Sequence, residues 1–102
     1  MCYVCYIFFV KLSAMKQRQV SERKLIFDNE GINAFAVQLK RIRLREGFTQ
    51  SQLAFESGLS ISQIARIETA RINPTLSTVF ALARTLNVTL SDLFDFELSA
   101  KD

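Results

Sequence analysis

At 102 residues the chain fits one domain around one core, and its 23% charged and 49% apolar residues are ordinary globular usage. A formal charge of +3 and a pI near 9.1 permit a polyanionic partner without identifying one. There is no His, no Trp, no glycine-rich phosphate loop and no pair of cysteine motifs spaced for zinc, so catalysis has few candidates and no enzyme activity, cofactor or metal site is expected.

Residues 1 to 10, MCYVCYIFFV, are apolar throughout, but a spanning helix needs ~17–25 such residues and a secretory signal wants a positive charge ahead of them. No membrane segment or export is expected. Cys2 and Cys5 form a lone CxxC with no further thiolate or imidazole to complete a metal site, and the rest of the chain lacks cysteine, as suits a cytoplasmic protein. Met15 is followed by the polar run KQRQVSERK, which predicts a translation start there and an upstream extension over residues 1 to 14. The alternative is an apolar strand or arm packed on the domain or on a second subunit. Residues 15 to 31 read as a polar arm closed by Asn29, Glu30 and Gly31, with the domain over 32 to 98 and a tail over 99 to 102.

From Asn33 to Glu46, Phe35, Leu39 and Ile42 recur at helical spacing with Lys40, Arg41, Arg43 and Arg45 between them, and Gly47 ends the helix. Thr49 with Gln52 fits a capping box, so a second helix begins near Gln50, turns Leu53 and Ala54 inward and ends at Ser57. Ser60 with Gln63 repeats the box, and Ile61, Ile64 and Ile67 run to an end near Thr69. Pro74 and Thr75 open a fourth helix with Leu76, Val79, Phe80, Ala83 and Leu86 as its core positions and Asn87 as a left-handed cap. A short helix over Thr89 to Phe94 closes the domain with Leu90, Leu93 and Phe94. The architecture is all-α, with about five helices.

Ala54 lies four residues before Gly58, and Ile64 six after it. Two helices crossing steeply need a small residue at their contact, a glycine where the turn takes positive φ and a branched apolar side chain from the second helix. These three residues meet those demands.

At this point the sequence resembles the Xre family of Cro and phage-repressor-like helix-turn-helix domains, over about residues 33 to 96. The resemblance rests on Leu39, Ile42 and Arg43, on Gly47 through Ala54, on Gly58, and on Ile64, Arg66, Ile67 and Glu68. Asn73 through Leu76 and Leu90 through Phe94 add to it, while Ala70 and Ile61 depart from the usual glycine and polar residue.

The resemblance implies a five-helix phage-repressor-like domain that binds double-stranded DNA, acts as a small transcriptional regulator and pairs as a homodimer on a two-fold operator. The third helix would enter the major groove, with Ile61, Ser62, Ala65 and Arg66 toward the base edges. Arg66 suits guanine O6 and N7, and Ile61 and Ala65 suit a thymine methyl. Phosphate contacts would come from Gln50, Ser60 and Arg71, assisted by Lys40 and Arg41. Arg43 would pair with Glu68, linking the first helix to the third. An antitoxin, a restriction-modification controller and a protein-interaction module that has lost DNA binding are the alternatives. No small-molecule ligand is implied, and no dimer seam is legible.

Overall fold

The computed structural model describes residues 25–101; the expected extension over 1 to 14, the arm as far as residue 24 and the Cys2–Cys5 pair lie outside them. Five helices follow in order among the described residues: α1 (Asn29–Arg45), α2 (Gln50–Ser57), α3 (Ile61–Glu68), α4 (Leu76–Leu86) and α5 (Leu90–Leu93). None of them is long and apolar enough to cross a membrane.

The first helix starts earlier than the sequence pattern predicts. Asp28 caps it, accepting from Gly31 N at 2.8 Å, and Asn29, Glu30 and Gly31 form its first turn instead of closing an arm. The cap satisfies a backbone N–H that a helix start leaves free, and Glu30 complements the positive end of the helix dipole. Gly31 read as a breaker, but a first-turn glycine interrupts little once that N–H is bonded.

Each later helix is set by its own ends. Thr49 and Ser60 both make the complete reciprocal capping box, with Gln52 and Gln63 respectively, and Thr75 and Thr89 cap α4 and α5. At the C-termini Gly47, Gly58, Ala70 and Asn87 all take positive φ, the left-handed conformation that turns the chain off a helix while satisfying its last carbonyls. Between α2 and α3, Gly58 accepts this at φ +80 without the steric cost a Cβ would bring. Only Gly58, Leu59 and Ser60 separate the two helices.

The core sits where α1 through α5 converge. Leu39, Ile42, Leu53, Ile64, Ile67, Leu82, Leu86 and Leu93 are all fully buried, each worth roughly 1.5–3 kcal/mol of apolar transfer. Ala54 belongs to the same cluster, and its small side chain lets α2 lie against α3. Around that pair, α1 packs on α3 and α5, while α4 packs on α2 and α5.

Two helices bury less than their apolar pattern predicts. Along α4 the inward positions are Val79, Leu82, Ala83 and Leu86, whereas Leu76 and Phe80 stay exposed. A helix of this length offers the core one stripe, and Leu82 takes the place that Phe80 was expected to fill. Likewise Leu93 closes the domain, but Leu90 and Phe94 remain largely on the surface, Phe94 tilted against Phe35 with ring centroids 5.3 Å apart.

Candidate nucleic-acid interface

Helix α3 divides cleanly into two faces. Ile64 and Ile67 point into the core, and the opposite side carries Ile61, Ser62 and Arg66, all exposed, with Ala65 half-buried between them. Ile61 keeps 52% of its surface accessible in spite of its apolar side chain. Among the described residues Arg66 enters no side-chain hydrogen bond or ion pair, so its guanidinium is available to an outside acceptor. The four residues expected to meet base edges therefore share one solvent-facing side of one helix.

A buried ion pair fixes that helix in place. Arg43 Nε donates to Glu68 Oε2 at 2.6 Å and Nη2 donates to Glu68 Oε1 at 3.0 Å, while Nη1 donates to the Phe48 carbonyl at 2.8 Å. The side chains retain 7% and 2% of their exposure. The paired geometry uses all three guanidinium nitrogens and ties α1, the loop before α2 and the end of α3 together.

Gln50, the expected phosphate contact at the start of α2, is half-buried. Its Nε2 donates to Glu68 Oε1 at 3.2 Å, which draws the side chain inward onto the ion pair. Glutamine at the first position of a helix reads as surface, and nothing in the local pattern signals a carboxylate eighteen residues away. Ser60 is likewise engaged, its Oγ accepting from Gln63 N at 3.0 Å. Lys40 is exposed; Arg41 is exposed but donates from Nη1 to Gln38 Oε1 at 3.2 Å.

Arg71 owes its position to the end of α3. Its backbone N–H reaches the Arg66 carbonyl at 2.9 Å and that of Ala70 reaches Ile67 at 3.2 Å, with Ala70 at φ +59. This Schellman arrangement turns the chain sharply away from the helix axis. Arg71 is left exposed just past the helix end. Ala70 thus adopts the conformation that a glycine would take at lower cost.

A family model described as helix-turn-helix, HTH_3, matches residues 39–93, from the middle of α1 to the end of α5. The chain belongs to the helix-turn-helix family. An immunity repressor protein of Bacillus phage phi105 is 40% identical over 65 residues, covering 64% of this chain and 45% of that protein. The HTH-type transcriptional regulator SlrR of Bacillus subtilis is 38% identical over 60 residues, or 58% of this chain and 40% of its own length. This helix-turn-helix chain therefore spans less than half the length of those curated relatives. Among solved structures, the restriction-modification controller protein C.AhdI of Aeromonas hydrophila superposes with a TM-score of 0.60 at 32% identity, covering 62% of this chain and 96% of that one. A helix-turn-helix regulator of Vibrio cholerae gives 0.62 at 27% identity, over 65% and 37% respectively.

Proposed function

We propose that this helix-turn-helix protein binds duplex DNA sequence-specifically as a small, repressor-like transcriptional regulator, pairing as a homodimer on a two-fold site in the cytoplasm. The observation that carries the reading is the outer face of α3: Ile61, Ser62 and Arg66 are exposed, with Ala65 half-buried between them, on a helix tied at its far end by the Arg43–Glu68 pair. A helix presented this way fits the major groove, where side chains distinguish all four base pairs. Ser62 and Arg66 supply polar readout, and Ile61 and Ala65 supply apolar contact with a thymine methyl. Arg71, Lys40 and the backbone N–H groups at the starts of α2 and α3 face the sugar-phosphate chains.

Gln50 acts chiefly by bracing Glu68 in this reading, and Arg41 assists with phosphate only through the part of its fork that Gln38 leaves free. Pairing follows from area: one small module buries too little surface for useful specificity, whereas two half-sites multiply it. No catalytic step and no cofactor enter the reading.

A second reading within the same class is a restriction-modification controller, favoured by the likeness to C.AhdI over 96% of that protein at 32% identity. A restriction endonuclease or methyltransferase gene beside this one supports it; unrelated neighbours count against it. The primary test is selection of bound duplexes from a random pool. Enrichment of a motif with two-fold symmetry is expected, and a pool that stays random through successive rounds refutes sequence-specific binding.

A further inference from the structure

The chain's excess of positive charge lies outside its helical body. Residues 25 to 101 hold eight Lys and Arg against eight Asp and Glu, so that body is electrically neutral, and one of its cations, Arg43, is already bound to Glu68. Residues 11 to 24 hold Lys11, Lys16, Arg18, Arg23 and Lys24 against the single Glu22, and with Asp102 they account for the net charge of +3. Four of those five cations fall within residues 16 to 24, which a chain begun at Met15 keeps. Val20 is the one apolar side chain among the nine, so the stretch has little to bury against a core or in a lipid surface.

The structure fixes where that stretch joins the body. Asp28 caps α1, and Asn73 Nδ2 donates to the Ile26 carbonyl at 3.4 Å, which ties the entering chain to the loop between α3 and α4. Asn73 follows Arg71 so closely that their Cα atoms lie at most about 7 Å apart. Leu25 and Ile26 are 91% and 83% exposed, turned to solvent and away from the core. The carboxylates at the start of α1 are engaged, Asp28 with Gly31 N and both oxygens of Glu30 with Ser99 N at 3.1 and 3.0 Å. The chain from Lys24 back to Lys16 thus departs beside the loop that carries Arg71.

A duplex carries one negative charge per ~1.7 Å of its axis, and attraction to those phosphates supplies the sequence-independent part of the affinity. The neutral body offers little of it. On the reading proposed above Arg66 meets a base, which leaves chiefly Arg71 and Lys40 for phosphate, with Arg41 partly held by Gln38. We infer that residues 16 to 24 form a second DNA-contacting element, in which Lys16, Arg18, Arg23 and Lys24 bind the sugar-phosphate chain beyond Arg71 and provide most of the salt-dependent affinity. The inference rests on the duplex binding proposed above and adds to it a site that α3 does not contain. Nine residues reach at most about 30 Å, enough to pass the ~12 Å width of the major groove and meet phosphates on its far side. Gln17 and Gln19, set between the cations, add amide donors of the kind that bind phosphate oxygens.

The test titrates the full chain onto a random-sequence duplex over a salt series, beside a variant carrying Lys16→Gln, Arg18→Gln, Arg23→Gln and Lys24→Gln. The variant is expected to lower the slope of log affinity against log salt by about three to four units, at ~0.9 per lost phosphate contact, and to weaken binding at about 0.1 M salt a hundredfold or more. Preference among single-base variants of the selected site is expected to persist, because phosphate contacts carry no sequence information. Thermal melting should stay unchanged, since all four residues precede the Asp28 cap. A second variant, with the order of residues 16 to 24 shuffled, is expected to keep the wild-type slope, as contact through charge requires. A shuffled chain that binds like the neutralised one overturns the inference, and so does a neutralised chain with the wild-type slope. Binding to phosphatidylserine vesicles that needs the four cations, while the DNA slope ignores their removal, also overturns it by assigning the stretch to a lipid surface. The outcomes separate this inference from the sequence-specific reading. A steep slope that depends on residues 16 to 24, with no motif enriched from the pool, leaves the second element standing and removes the reader; an enriched motif bound with an unchanged slope does the reverse.

Discussion

Gln50, the first residue of α2, donates its side-chain amide to Glu68, the last residue of α3, across 3.2 Å. The contact closes the helix-turn-helix unit on itself: the start of one helix and the end of the next are held through a carboxylate that Arg43 already grips from α1. Gln50→Ala is expected to lower stability by about 0.5–1.5 kcal/mol, the net worth of one hydrogen bond to a charged group that keeps other partners. Gln50→Glu should cost more, because it sets a second carboxylate against Glu68. Denaturant melts compare the two; unchanged stability in Gln50→Ala would mean that the contact contributes nothing.

The Arg43–Glu68 pair is nearly dry, and that makes each half dependent on the other. Removing either partner strands a buried charge, so Arg43→Ala and Glu68→Ala are each expected to cost about 3–5 kcal/mol. The double variant should lose markedly less than the sum, because no charge remains unpaired. Thermodynamic cycles from urea melts at one pH decide it, and simple additivity rules out coupling across the pair.

Ala70 sits at φ +59, where a Cβ crowds the backbone. Ala70→Gly is therefore expected to raise stability by about 1 kcal/mol, the relief of left-handed strain less the greater freedom of the unfolded glycine. A lower melting temperature in this variant would show that the Ala70 methyl packs usefully in the folded chain. Arg71 should remain where it is, since the Schellman hydrogen bonds that place it are made by backbone atoms.

Helix identity in this chain is legible because it is written locally. Thr49 with Gln52 and Ser60 with Gln63 announce α2 and α3 to the residue, and Gly58 and Asn87 announce ends that the backbone adopts. The start of α1 was obscured by Gly31, although Asp28 as a cap with Phe27 before it and Ile32 four positions into the helix has the spacing of a capped, stapled start. Burial was harder to read than identity. Leu76 and Phe80 have helical spacing with Val79 and Ala83, and periodicity cannot tell which of two adjacent apolar rows the neighbours leave uncovered. Side-chain partners across space were the least legible: Gln50 to Glu68, Gln38 Nε2 to the Asp92 carbonyl at 2.7 Å and Arg43 to the Phe48 carbonyl have no signature within their own helices.

In the proposed reading, Arg66 and Arg71 separate base reading from backbone attraction within five residues of chain. Arg66 lies on the outer face of α3 with its guanidinium unengaged by the described residues, so Arg66→Ala is expected to remove discrimination at one base pair, worth about 1–3 kcal/mol, and to change non-specific binding little. Arg71 stands exposed past the Schellman turn, so on the same reading Arg71→Ala is expected to weaken binding to every duplex and to lower the slope of log affinity against log salt by about one unit. Titrations of both variants on the selected site, its single-base variants and random duplex, over a salt series, resolve the two effects. A variant of Arg66 that keeps the preference at every base pair would place its side chain on phosphate, and the reading face of α3 would then have to be redrawn around Ile61 and Ser62 alone.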